Sequence, residues 1–178
     1  NPIHVEITNK ITANVTRQAK STLNPLPSSA KIAVCGTNPT ADPAMNSGNH
    51  VMLVGDLAIW MFEYLGGIKS DPSVGGFKHI IMMPHQVAKL DWVNCSYDSP
   101  RGPIVSNWKK SKDCFDWTVT IPPGSTATIG IPSTKSAAIT VDGQPVESVE
   151  SIQPLGYNRG RTIFSVPSGS YAFRVEYE

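Results

Sequence analysis

The second half of the chain consists of short segments in which apolar and polar residues alternate. Phe115, Trp117 and Val119, for example, alternate with polar side chains. A period of two places every second side chain on the same face of an extended strand, so each segment predicts a β-strand with one buried and one solvated face. The predicted strands are Phe77–Met83, Leu90–Tyr97, Ile104–Lys109, Phe115–Ile121, Thr126–Ile131, Ala137–Val141, Thr162–Val166 and Tyr171–Tyr177. Because turn sequences rich in Gly and Pro separate these strands, residues 77–178 are predicted to form an antiparallel β-sandwich.

Residues 49–68 follow a different pattern, since they are apolar at nearly every position. The Gly66-Gly67 pair predicts that a helix in this segment ends there. A helix that is apolar on all sides is normally buried on most of its faces, so we expect it to pack in a helical layer. Asp56 and Glu63 lie seven residues apart on one stripe, which faces either solvent or a polar cavity.

The first 48 residues are predicted to be irregular. Ile3, Val5 and Ile7 alternate with His and Glu, which indicates one short strand. Further along, several prolines stand among Ser, Thr and Asn, a composition typical of loops and linkers. The predicted organisation is therefore an irregular segment over 1–48, a buried helix over 49–68 and a mainly β domain over 77–178.

Composition excludes several classes of protein. The 178 residues carry a net charge of +1, with 16% charged and 40% hydrophobic residues, so the chain is neither a disordered tail nor a basic nucleic-acid binder. The longest apolar run is shorter than the roughly 20 residues that a membrane-spanning helix needs. We therefore expect neither a nucleic acid nor a membrane as partner.

The three cysteines give little sign of a metal site. Cys35, Cys95 and Cys114 lack the close spacing of zinc ligands, so no metal and no cofactor is expected. Cys95 and Cys114 either bridge neighbouring strands or remain separate thiols. Asn14 and Asn94 begin N-glycosylation sequons, although Asn94 falls inside a predicted strand. The compartment stays open, with an extracellular or periplasmic location favoured over a cytoplasmic one.

A series of short motifs, in a fixed order, points to a known family. The motifs are Asn49-His50, Tyr64-Leu65-Gly66-Gly67-Ile68, Gly76-Phe77-Lys78-His79-Ile80-Ile81, Leu90-Asp91-Trp92-Val93 and Ser96-Tyr97-Asp98-Ser99. This run resembles the junction between the (α/α)6 barrel and the C-terminal β-sandwich of α-L-rhamnosidases of glycoside hydrolase family 78. The resemblance covers residues 46–131 well and the later strands more loosely. It implies that the helix over 49–68 corresponds to the last helix of such a barrel.

The resemblance also implies a reaction, the removal of terminal α-L-rhamnose with inversion. Such hydrolysis uses one carboxylic acid to protonate the leaving oxygen and one carboxylate to activate water. In the family both groups lie on the barrel, upstream of the Asn-His pair, and the nearer one follows a Trp. Residues 20–40 contain neither Trp nor Glu, and the acids upstream of His50 are Glu6 and Asp42. We therefore assign no catalytic residue in this chain and expect it to be inactive alone.

His50 is the residue to which the resemblance assigns a substrate-binding role. The histidine of the family's Asn-His pair hydrogen-bonds a rhamnose hydroxyl, and imidazole suits this because one ring nitrogen donates while the other accepts. The alternative is that His50 caps or packs the start of the helix. The implied partners are a rhamnose-containing carbohydrate and the remaining barrel domain of a parent enzyme.

Tryptophans offer a second way to bind a sugar, by stacking. Trp92, Trp108 and Trp117 lie on successive predicted strands, and core packing is favoured for each. Trp108, which has polar neighbours on both sides, is the candidate for stacking on a sugar ring. Trp60, in the middle of the apolar helix, is predicted to be core.

Two hypotheses of different classes follow. The first is the C-terminal portion of an α-L-rhamnosidase-like glycoside hydrolase. The alternative is a non-catalytic β-sandwich module that either binds carbohydrate or serves a structural role. The apolar helix favours the first, because a bare apolar surface promotes association with other helices.

Overall fold

The computed structural model describes residues 3–8 and 51–177 of the chain, with side chains described from residue 56 onward. Two compact units divide the chain. The first consists of Asn1–Asn9 together with Trp60–Glu178, and the second is Lys10–Ile59. All the strands described below belong to the first unit.

The described part is dominated by β-strands. The strands are β1 Ile3–Thr8, β2 Ile68–Ser70, β3 His79–Met82, β4 Leu90–Ser99, β5 Gly102–Lys110, β6 Cys114–Ile121, β7 Thr126–Pro132, β8 Ile139–Val141, β9 Gln144–Pro145, β10 Gln153–Asn158, β11 Arg161–Val166 and β12 Gly169–Glu176. A helix, α1, spans Val51–Trp60 and continues as a π-helical turn over Met61–Leu65. A short 3-10 turn covers Val146–Ser148.

The strands form two sheets. The larger sheet has seven strands in the order β1-β4-β5-β6-β12-β8-β9, and the smaller has five in the order β10-β11-β7-β3-β2. Most neighbouring strands are antiparallel, while β1 with β4 and β3 with β7 are parallel. The predicted antiparallel sandwich is confirmed, and each of the eight strands predicted from alternation is present within a few residues. The strand predicted near the start of the chain is also present, as β1 at an edge of the larger sheet.

The core lies between the sheets and follows the predicted alternation. On β6, Phe115, Trp117 and Val119 are buried while the residues between them are at least partly exposed. On β12, Phe173 and Val175 are buried in the same way. One buried cluster thus joins the inner faces of both sheets, as expected for a sandwich.

Strand β4 departs from regular alternation near its start. Leu90 and Val93 are both buried although they are three residues apart, so the strand changes phase between them. The register with β1 shifts at the same point, as in a β-bulge. The change of phase places Trp92 on the outer face of the larger sheet, half-buried, where the sequence predicted it to point inward. That prediction was wrong because simple alternation does not anticipate a bulge.

The predicted helix is present and ends where the sequence predicted, but it is less buried than predicted. Trp60, predicted to be core, is 43% exposed, so that prediction was wrong. Glu63 is exposed and forms an ion pair with Lys69 at 3.3 Å, and Asp56 is exposed too. The division of the chain at residues 48 and 68 stays a prediction, because residues 9–50 lie outside the described part.

Candidate functional site

The helical segment joins the sandwich through four consecutive carbonyl groups. The last carbonyls of a helix have no partner inside the helix and need other donors. Here the carbonyl oxygens of Leu65 and Gly66 accept hydrogen bonds from the Trp108 indole Nε1–H at 2.8 Å and from the Ser106 hydroxyl at 2.6 Å. The carbonyl of Tyr64 accepts from a backbone N–H group in the β3–β4 connection, at 2.9 Å. The carbonyl of Gly67 accepts from the backbone N–H group of the residue that follows β3, also at 2.9 Å.

A second tryptophan extends this network. The indole Nε1–H of Trp117 donates to the Ser106 hydroxyl oxygen at 2.9 Å, while that hydroxyl donates to Gly66. Ser106, Trp108 and Trp117 are each at most 1% exposed, so the bonds are shielded from water. Buried polar groups depend on such partners, because leaving one unmade costs its full desolvation. The helix end is therefore fixed to the inner face of the larger sheet by β5 and β6.

The two glycines at the helix end allow this close approach. Gly67 has a φ of 69°, a left-handed conformation that favours glycine, and a Cβ there would collide with the backbone of Met83 and Pro84. A Cβ on Gly66 would collide with the Cys95 side chain on β4. The Gly66-Gly67 pair therefore does more than end the helix, since it lets the chain pass directly against the sandwich.

Three stacked rings lie at the surface of this junction. Trp60 and Tyr64 stack with their ring centroids 5.5 Å apart, and Tyr64 stacks on His85 at 3.9 Å. Trp60 is 43% and Tyr64 41% exposed, so the outer part of the stack faces solvent. We call Trp60, Tyr64 and His85 the aromatic stack.

The inner end of the aromatic stack is electrostatically unusual. Burial, together with the positive charge of Arg161, lowers the pKa of His85 from its ordinary value, and its Nδ1 is buried with no hydrogen-bond partner in the described part of the chain. Arg161 is itself fixed, because it donates to the carbonyls of Gly130 at 2.9 Å and Pro84 at 2.7 Å. His85 is therefore held in its neutral form beside a fixed cation.

The outer face of the larger sheet carries a separate polar depression. Strand register places Trp92, Lys109 and Asp116 in one row across β4, β5 and β6. The adjacent row contains Asn94, Asn107 and Thr118. These six residues, together with Trp108, line a cavity of about 340 Å³, which we call the outer groove. The buried Ser106 and Trp117 of the network above are not part of its lining.

Of the two residues assigned to sugar binding from sequence, the structure describes only Trp108. His50 lies outside the described residues, so its role stays a prediction. Trp108 is only 1% exposed, and its N–H is used by Leu65. A ring enclosed in the core has no face to offer a sugar, so the stacking assignment was wrong and the core-packing alternative is observed. Trp92, which sequence reasoning placed inside, is the strand tryptophan that reaches the surface.

Cys95 and Cys114 are separate thiols, which was one of the two alternatives considered. Cys95 is buried and Cys114 is partly exposed, and both are free. Burial raises the pKa of the Cys95 thiol to about 12. Among the described residues, no three His, Cys, Asp or Glu side chains are grouped so that they could hold a metal ion. In the described ranges, no helix has both the length and the apolar character that crossing a bilayer requires.

Comparison with known families shows what this sandwich is similar to. Residues 67–145 match the family described as the bacterial alpha-L-rhamnosidase C-terminal domain. Over these residues the sandwich resembles the C-terminal domain of α-L-rhamnosidases. The match begins at Gly67, at the junction of the helical segment with the sandwich, so the resemblance inferred from the motifs is confirmed.

Whole proteins similar to this chain are α-L-rhamnosidases. One from Formosa agariphila is 28% identical over 133 residues, which is 75% of this chain and 14% of that protein. One from Alteromonas sp. is 32% identical over 120 residues, 66% of this chain and 12% of that protein. The matched part of this chain thus spans less than a sixth of the length of these relatives.

Solved structures show the same fold. The α-L-rhamnosidase of Dictyoglumus thermophilum aligns with a TM-score of 0.60 at 21% identity, covering 71% of this chain and 14% of that one. That of Streptomyces avermitilis, solved in complex with L-rhamnose, aligns with a TM-score of 0.60 at 24% identity, covering 75% and 12%. The similarity supports the architecture described above, two packed β-sheets.

Proposed function

We propose that this chain is the C-terminal part of an α-L-rhamnosidase and that its sandwich holds the last helix of a catalytic barrel in position. The complete enzyme would hydrolyse terminal α-L-rhamnosides with inversion, using two carboxylates and a water molecule. The carboxylate pair would be supplied by the barrel. The sandwich would contribute stability and position rather than a reacting group.

The observation that carries this proposal is the exposed aromatic pair at the junction. Trp60 and Tyr64 present stacked, partly exposed rings at the end of a segment that is apolar in sequence. Adjoining large apolar side chains on a surface are typical of interaction sites. Neighbouring helices of a barrel would cover both rings, which accounts for large exposed side chains on a helical segment that is apolar in sequence.

The fixed junction supports the same role. Four consecutive carbonyls, from Tyr64 to Gly67, are bonded to the sandwich, so the helix end has little freedom to shift. A helix held in this way at one end would keep the facing barrel residues in register. In the proposed enzyme, His50 at the other end of the helical segment would donate or accept a hydrogen bond at a rhamnose hydroxyl.

A chimeric enzyme tests the proposal. This chain would replace the corresponding C-terminal segment of the Alteromonas relative, with rhamnosidase activity measured on an aryl α-L-rhamnoside. We expect an active chimera whose melting temperature falls by several degrees in the Trp60→Ser, Tyr64→Ser variant. The matched control is Leu155→Ser, since Leu155 is also exposed but lies on β10, at the opposite edge of the smaller sheet from β2. Equal effects of both variants would contradict the proposed contact.

The role of His50 is tested separately in the same chimera. His50→Ala is expected to raise KM for the aryl rhamnoside, because it removes a hydrogen bond made to bound substrate. The melting temperature should change little if the histidine acts on the sugar. A large loss of thermal stability with an unchanged KM would instead assign His50 to the alternative role, capping or packing the helix.

A further inference from the structure

The outer groove combines side chains that match the surface of a sugar. A pyranose ring has an apolar face of C–H groups and a rim of hydroxyls that both donate and accept. The indole of Trp92 offers a flat, half-buried apolar surface. Asn94 and Thr118 offer an amide and a hydroxyl, groups that both donate and accept. The amide oxygen of Asn107 accepts from the Cys95 N–H at 3.0 Å, so Asn107 offers the donors of its NH2 group. Lys109 adds donors and Asp116 adds an acceptor.

Two rows of side chains form the groove. One row contains the large side chains of Trp92 and Lys109 followed by Asp116, and the adjacent row contains the shorter Asn94, Asn107 and Thr118. Neighbouring strands are about 4.8 Å apart, so the groove extends roughly 10 Å from β4 to β6. Its volume of about 340 Å³ falls within the range of small-molecule sites. The space suits one sugar unit against the Trp92 ring.

Charge and position argue against other ligands. The lining contains one cation, Lys109, and one anion, Asp116, on facing strands, so the groove has no excess of either sign. Asp116 also pairs with Arg174 at 3.2 Å, and Arg174 lies 3.8 Å from Glu176. A neutral ligand fits this balance better than a phosphate or a nucleic acid does. A peptide strand could not add to the sheet at this point, because β5 and β6 are paired with strands on both sides.

We propose that the outer groove binds a single neutral hexopyranose unit of a glycan, with the sugar stacked on Trp92 and its hydroxyls bonded to Asn94, Asn107 and Thr118. This would make the sandwich a carbohydrate-binding surface in its own right. The proposal does not depend on the barrel or on His50, since every residue it uses lies on β4, β5 and β6.

Nuclear magnetic resonance of the full chain tests the proposal directly. The isotope-labelled chain would be titrated with the methyl glycosides of L-rhamnose, D-galactose, D-glucose and D-mannose. We expect at least one of them to shift the Trp92 indole signal and the side-chain amide signals of Asn94 and Asn107. If none of the four shifts these signals, or if the shifts are confined to Trp60 and Tyr64, the proposal is overturned.

Variants then identify the residues that bind. Trp92→Ala is expected to raise Kd at least about tenfold, a change of about 1.4 kcal/mol, while Trp92→Phe retains part of the affinity. Asn94→Ala provides a second variant on an exposed position, so a folding defect in Trp92→Ala does not decide the result. Tyr157→Ala, which removes an exposed ring on β10, is the control that should bind normally. Unchanged Kd in both groove variants would overturn the assignment.

Discussion

The indole N–H of Trp108 donates to the carbonyl of Leu65 at 2.8 Å, across 43 residues of sequence. This bond ties the end of the helical segment to the centre of the larger sheet. Ser106, two residues earlier on β5, makes the parallel bond to Gly66 and also accepts from Trp117. The core of the sandwich is thus the anchor for the helix.

Removing the Ser106 hydroxyl should destabilise the protein substantially. Ser106→Ala leaves both the Trp117 N–H and the Gly66 carbonyl without a partner in a buried site, which costs about 2 kcal/mol or more of unfolding free energy. Urea unfolding of the full chain measures this. Ser170→Ala is the matched control, because its hydroxyl bonds Thr120 at an exposed position and should cost less than about 0.5 kcal/mol. Similar losses in the two variants would contradict the network.

Gly67→Ala should be among the most damaging single substitutions. Its left-handed backbone and the adjacent backbone of Pro84 leave no room for a methyl group, so we expect a loss of more than about 2 kcal/mol. Gly75→Ala is the control, since a Cβ at Gly75 meets nothing within 4 Å. Chemical denaturation compares the two. A Gly67→Ala protein as stable as Gly75→Ala would show that the junction is looser than described.

Stability should fall as pH drops below the ordinary pKa of histidine. Burial and Arg161 hold the pKa of His85 below 6.5, so the unfolded chain binds the proton first. The contribution is therefore fully present above about pH 6.5 and is lost as pH falls through the lower, folded-state value. Urea midpoints of the native chain and of His85→Gln, compared on both sides of pH 6.5, measure it. The variant should show a smaller fall, and identical profiles would contradict the assignment.

The thiols of Cys95 and Cys114 should differ sharply in reactivity. Thiolate is the reactive form, and burial raises the pKa of Cys95 to about 12, whereas Cys114 is partly exposed. We expect iodoacetamide to label Cys114 rapidly in the native chain and Cys95 only after denaturation. Peptide mass spectrometry distinguishes the two sites. Rapid native labelling of Cys95 would contradict its burial beside Gly66.

Much of the fold was predictable because, in a β-sandwich, the alternation of apolar and polar residues indicates which side chains are buried. On β6 and β12 the predicted inward residues are the buried ones. Strands β2 and β9 were missed because three and two residues carry no period. Strand β10 was missed because all of its residues are exposed, and Pro154 and Gly156 interrupt it.

The candidate sites were harder to predict, for physical reasons. The Trp108–Leu65 bond joins residues 43 positions apart, so no local pattern reveals it. Core packing was favoured for Trp108, but its polar sequence neighbours made it the candidate for stacking on a sugar. Trp92 was assigned to the wrong face because the phase change between Leu90 and Val93 is a feature of strand pairing. The buried position of Ser106 between two inward apolar residues, Ile104 and Trp108, was the available sign of a polar group with a structural partner.

Strand β1 has a practical consequence for anyone who isolates the sandwich. Its six residues, Ile3–Thr8, pair with β4 along one margin of the larger sheet, although more than eighty positions of chain separate the two strands. The sandwich is therefore built from two stretches of sequence that are not contiguous. A protein made of residues 60–178 alone would lack β1. The edge of β4 would then carry unpaired main-chain N–H and C=O groups, which favour self-association.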